Sequence, residues 1–149
     1  MIEGTDPFFT VELTPVPRAD LFSLRVVTFA PRAADQRWIT EELEGTRAIP
    51  YFVPTLRSVF DAIADEVGHR VIVIAYDALS REDIVDLRAH RARARGGTFI
   101  ALGNIREHLR APLRVTHVLP RPLGSEVLRG IIDGLDRQRD TAEIRKLDS

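Results

Sequence analysis

The 149-residue chain has no cysteine, one methionine and few aromatic residues. The absence of cysteine excludes disulfides, thiolate nucleophiles and cysteine metal ligands, and it fits a reducing compartment, so we expect a cytoplasmic protein. No apolar run approaches the roughly 18 residues that a membrane span requires, and the N-terminus lacks the basic and apolar regions of a secretory signal. Positive and negative charges nearly balance, at a formal net charge of −1, which gives no global attraction to nucleic acid or membrane.

Phosphate-binding and metal-binding motifs are missing as well. The segment Ala30-Pro31-Arg32-Ala33, which follows the first predicted strand, has no glycine, so it is neither a Rossmann turn nor a P-loop. No serine or histidine lies in a hydrolase motif. Asp77 is the only acid at the end of the third predicted strand, and one carboxylate does not hold Mg²⁺. We therefore predict no catalytic residue, no metal site and no cofactor.

Apolar segments rich in β-branched residues alternate with segments of helical spacing along most of the chain. Strands are predicted at residues 24–29, 48–53, 71–75, 98–102 and 115–119, with Pro50 placing the second at a sheet edge. Helices are predicted at 33–44, 55–68, 80–95 and 105–111, and from Ser125 onward. Thr55, Ser80 and Ser125 are their expected caps, and Asp83 completes a capping box with Ser80. This alternation predicts an α/β fold in which helices cover both faces of a five-stranded parallel sheet, with sites at the carboxyl ends of the strands.

Three regions are expected along the chain. Residues 1–20 are predicted to form an N-terminal extension, in which a short strand at 8–14 is followed by a proline-containing linker. Residues 21–138 form the folded domain. Residues 139–149 are polar and charged, which is typical of a linker.

One short motif suggests a family. Val118-Leu119-Pro120-Arg121-Pro122-Leu123 resembles the receiver (response-regulator) signature, in which a strand is followed by Lys-Pro and an aliphatic helix. The order of elements over about residues 24–137 is similar to that of receivers too. The resemblance implies a flavodoxin-like, CheY-like fold with strand order 2-1-3-4-5.

The phosphorylation residues of receivers are not matched. The acidic pair would fall on Ala30 and Pro31, the phospho-acceptor on Ala75, the threonine switch on Gly103 and the lysine on Arg121. Receiver phosphotransfer needs a carboxylate nucleophile and Mg²⁺ held by carboxylates. The resemblance therefore implies a degenerate site that is not phosphorylated. A register shift that makes Asp77 the acceptor is the alternative.

The context implied by this resemblance is two-component signalling. The segment Asp6 to Pro15 resembles the end of a histidine-kinase ATP-binding domain, which implies a pseudo-receiver within a hybrid kinase. Its partner would be the kinase catalytic core or a neighbouring receiver, and a homodimer is a further expectation. The family implies contacts through the fourth helix, fifth strand and fifth helix, with these contact residues: Ile105, Leu109, Arg110, Val118, Arg121 and Val127. The competing interpretation assigns the apolar members of this set to the core.

A second hypothesis is binding of a cyclic dinucleotide such as cyclic di-GMP, which some kinase pseudo-receivers bind. It is motivated by Arg121, by the arginine-rich third helix and by the two Arg-x-x-Asp patterns, Arg32 to Asp35 and Arg137 to Asp140. A solvated helix face is the simpler explanation of the arginine run. Nucleic-acid binding is not expected, because no aromatic residues interleave with those arginines.

Overall fold

The structure, a computed structural model, describes residues 24–64, 70–93, 97–135 and 137. Its strands are β1 (Leu24–Phe29), β2 (Ala48–Phe52), β3 (Val71–Ala75), β4 (Thr98–Leu102) and β5 (His117–Leu119). Its helices are α1 (Ala33–Leu43), α2 (Leu56–Ala64), α3 (Arg81–Arg93), α4 (Glu107–Leu113) and α5, at residues 127–135. A 3-10 turn, Tyr76–Ala78, follows β3.

The strands form one parallel sheet in the order β2-β1-β3-β4-β5. This confirms the predicted flavodoxin-like, CheY-like α/β fold. The clearest difference from the predicted elements lies between β4 and β5. There α4 begins two residues later than expected and continues through Pro112, and it ends where Arg114 adopts a left-handed conformation with φ of 54°.

Alternate residues of each strand point to opposite faces of the sheet, and each face carries its own core. Val71 and Val73 of β3 face the first core, which is closed by the apolar sides of α1 and α5. Ile72 and Ile74 face the second core, which is closed by α2, α3 and α4. All five residues of β3 are buried, as expected of a central strand covered on both sides.

Pro50 lies on an edge strand, as predicted. The N–H of Val53 donates to the carbonyl of Thr28 on β1 at 2.9 Å. Because donors alternate along a strand, the N–H groups of Ile49 and Tyr51 also point toward β1, whereas position 50 points away from the sheet. Proline at this position therefore costs no hydrogen bond and removes one donor from the outer edge.

Two of the three predicted caps are present. The Thr55 hydroxyl accepts the Ser58 N–H at 3.1 Å. Ser80 and Asp83 exchange side-chain-to-backbone bonds, both at 3.1 Å, and form the capping box. The predicted cap at Ser125 is wrong: α5 begins at residue 127, and Glu42 of α1 accepts N–H groups of its first turn.

The predicted strand at 8–14, the kinase-like segment and the C-terminal linker lie outside the described residues. Over the ranges given above, no helix has the length and apolar character needed to traverse a bilayer.

Candidate functional site at the carboxyl edge of the sheet

Four charged side chains meet at the carboxyl ends of β1, β3 and β5. Arg32 and Asp35 lie at the start of α1, directly after β1. Asp77 lies in the 3-10 turn after β3, and Arg121 lies two residues after β5. We call these four residues the carboxyl-edge network. They come from three loops at the edge where ligands bind in open α/β sheets.

Arg121 is the centre of this network. Its Nη1 and Nη2 donate to the two carboxylate oxygens of Asp35 at 2.9 and 2.8 Å. Its Nε and Nη2 donate to the two oxygens of Asp77 at 2.6 and 3.2 Å. The guanidinium therefore makes a two-point contact with each carboxylate, which is the strongest geometry for such a pair.

Arg32 adds a second cation on the exposed side. Its Nη1 donates to Oδ1 of Asp77 at 3.0 Å and lies 3.9 Å from Oδ2 of Asp35. Two cations and two carboxylates thus neutralise each other, and every carboxylate oxygen accepts a hydrogen bond from an arginine.

The network is buried on one side only. The Asp35 side chain is 4% exposed, whereas those of Arg121 and Asp77 are 31% and 32% exposed. The hydrogen bond from Arg121 lowers the pKa of Asp77, and partial burial opposes this effect. The hydrogen bonds to Asp35 and then to Asp77 raise the pKa of Arg121. Both groups of the Arg121–Asp77 pair are therefore held in their charged forms.

Gly103, the expected position of the receiver threonine switch, lies against Asp77. Its φ is 103°, and a β-carbon there would lie 3.0 Å from Cγ of Asp77. Both the backbone conformation and the close approach of Asp77 therefore require glycine. Ala30 and Ala75 are buried, and the carbonyl of Ala30 accepts the Gln36 side-chain amide at 2.8 Å. Pro31 is exposed beside them, so neither position of the expected acidic pair offers a carboxylate.

The structure separates the predicted contact residues into core and surface. Ile105 is buried in the second core, and Leu109 and Val118 pack against that core half-buried. Arg110 is exposed, and Val127 is 41% exposed at the start of α5. Arg110 and Val127 alone of this set lie on the surface without belonging to the core or the network.

The arginines of α3 do not form one ligand-binding row. Arg91 is buried, and it donates to the carbonyls of Leu113 and Arg114 at 2.9 and 3.0 Å. It thereby ties the end of α4 to α3 and has a structural role. Arg88 and Arg93 are exposed, and Arg95 and Asp140 lie outside the described residues.

Sequence reasoning missed the residues that join α1 to α5. The Glu42 carboxylate accepts the N–H groups of Glu126, Leu128 and Arg129 at 2.8, 2.9 and 3.3 Å. Trp38 Nε1 donates to the carbonyl of Gly124 at 3.2 Å. With Asp35, these residues occupy one side of α1, beside the apolar stripe that contains Ile39. The sequence signal that could have identified these residues is the row of polar side chains beside the apolar stripe of α1.

The arrangement is suited to holding loops together and offers no open coordination site. Among the residues that the structure describes, no cluster of three or more His, Cys, Asp or Glu side chains could bind a metal ion. The oxygens of Asp35 and Asp77 that could serve such an ion contact guanidinium groups instead.

No protein-family model matches this chain, and no curated protein sequence matches it significantly.

Proposed function

We propose that this chain is a degenerate receiver domain that regulates a histidine kinase or another signalling partner through protein–protein contacts. The observation that carries the proposal is the two-point contact of Arg121 with both Asp35 and Asp77. An internal cation occupies the edge of the CheY-like sheet at which receivers hold Mg²⁺ and a phosphoryl group.

Phosphotransfer to Asp77 would need an unhindered carboxylate oxygen and a divalent cation to neutralise the phosphoryl charge. Oδ1 of Asp77 accepts from two arginines, and Oδ2 accepts from Arg121 at 2.6 Å. Attack on a phosphoryl donor would first have to break these charge-assisted bonds. Arg121 also differs from the lysine of receivers, because its planar guanidinium group already contacts the carboxylates of Asp35 and Asp77.

A contact role fits the position of Arg121. Through Asp35 and Asp77 it connects the β5–α5 loop to the loops after β1 and β3, and that loop leads directly to the exposed Val127. We expect a fixed loop at this point to present α5 to a partner in a single orientation, since order before binding reduces the entropy cost of association.

The decisive experiment is exposure of the purified chain to acetyl phosphate and MgCl₂, followed by intact-mass measurement. We expect no phosphoryl adduct. An adduct that disappears in Asp77→Asn would overturn the proposal and establish the active-receiver alternative. Crosslinking to a histidine-kinase catalytic core then tests the contact role, with Val127→Asp as the interface variant and Val85→Asp as an exposed control on another helix.

The cyclic-dinucleotide alternative is disfavoured by the burial of Asp35. Its Arg-x-x-Asp pattern would have to present both side chains to the ligand, but Asp35 lies beneath Arg121. Isothermal titration calorimetry with cyclic di-GMP tests this directly. Heat that is lost in Arg32→Ala would favour the dinucleotide function over the contact function.

A further inference from the structure

We draw no further inference here: the strongest candidate, the groove of about 480 Å³ between α2 and α3 in which Phe60 stacks on His90, is lined by both acidic and basic side chains, and nothing in the structure shows what occupies it.

Discussion

The two faces of the sheet are held together in different ways. On the first face, α1 reaches the β5–α5 region through side-chain hydrogen bonds of Asp35, Trp38 and Glu42. On the second face, α2, α3 and α4 pack mainly through apolar contacts, with Arg91 as the main polar link. That face also has a groove of about 480 Å³ between α2 and α3.

This difference shows where the fold is constrained. Because side-chain hydrogen bonds at three positions along one side of α1 hold these elements together, α1, the β5–α5 loop and α5 should open as one unit. In the groove, the ring of Phe60 stacks on that of His90 with a centroid distance of 4.2 Å. We expect local opening to begin at α2 and α3 before it reaches α1 and α5, because fewer directional side-chain hydrogen bonds hold α2 and α3 in the part of the chain that the structure describes.

The largest effect is expected from Arg121→Ala on the constrained face. The substitution leaves the buried Asp35 carboxylate without its two-point partner and should lower the free energy of unfolding by about 3 kcal/mol. This value is at the lower end for a buried pair, because Arg121 is itself one-third exposed. Urea denaturation measures it. Arg110→Ala, an exposed arginine, should change stability by less than about 0.5 kcal/mol, and equal losses in the two variants would contradict the comparison.

Glu42→Ala should give the next largest loss. The carboxylate accepts three N–H groups at the start of α5, so its removal should cost about 2 kcal/mol and reduce hydrogen-exchange protection in the first turn of that helix. Glu42→Gln keeps an acceptor without the charge and should cost about half as much. The control is Glu41→Ala, whose side chain is exposed, and a loss there as large as at Glu42 would argue against the capping role.

On the second face, Arg91→Met should cost about 1.5 kcal/mol, because two carbonyls at the end of α4 lose a charged donor while the apolar stem is retained. Arg91→Lys should recover only part of this loss, since lysine lacks the fork that reaches both carbonyls. Thermal denaturation measures both variants. An effect no larger than that of Arg88→Met, at an exposed position of the same helix, would show that Arg91 does not tie the helices.

The smallest effect is a pH dependence from His90. Burial lowers its pKa below the ordinary 6.5, and the charges of Arg91, Arg93 and Arg70 lower it further, while Asp61, Asp83 and Asp86 line the same groove. The neutral ring is favoured in the folded state. This contribution to stability is therefore complete above pH 6.5 and is lost as the pH falls toward the lowered value.

The size of this effect should be at most about 0.5 kcal/mol between about pH 7.5 and about pH 5.5, because solvent screens a partly exposed ring. His90→Phe should abolish it while keeping the stack on Phe60. His108→Phe, a substitution at an exposed site, should leave the pH effect unchanged. Urea denaturation at the two pH values measures this difference in the free energy of unfolding. An unchanged pH dependence in His90→Phe would contradict its assignment to His90.

The fold could be predicted from the sequence because its signals are local. The apolar run of β3, the caps at Thr55 and Ser80 and the edge proline Pro50 each depend on residues within a few positions. The network could not be predicted in this way. Arg121 and Asp35 are 86 residues apart, as are Leu128 and Glu42, and no local pattern identifies such pairs.

Two interpretations changed for the same reason. In the sequence, Asp77 stands as the only acid at the end of the third predicted strand, but the sheet brings it to both Arg32 and Arg121. Ser125 was expected to cap α5 because serine is a common cap, but a buried carboxylate from α1 takes that role. In both cases a tertiary contact replaced the interaction that local preference predicted.

The most direct test of the internal cation at the carboxyl edge is a double-mutant cycle between Arg121→Met and Asp35→Asn, measured by urea denaturation. If Arg121 neutralises the buried carboxylate, the loss of unfolding free energy in the double variant should differ from the sum of the two single losses by about 2 kcal/mol or more. Losses that add to within about 0.5 kcal/mol would contradict the account, because the two side chains would then be energetically independent.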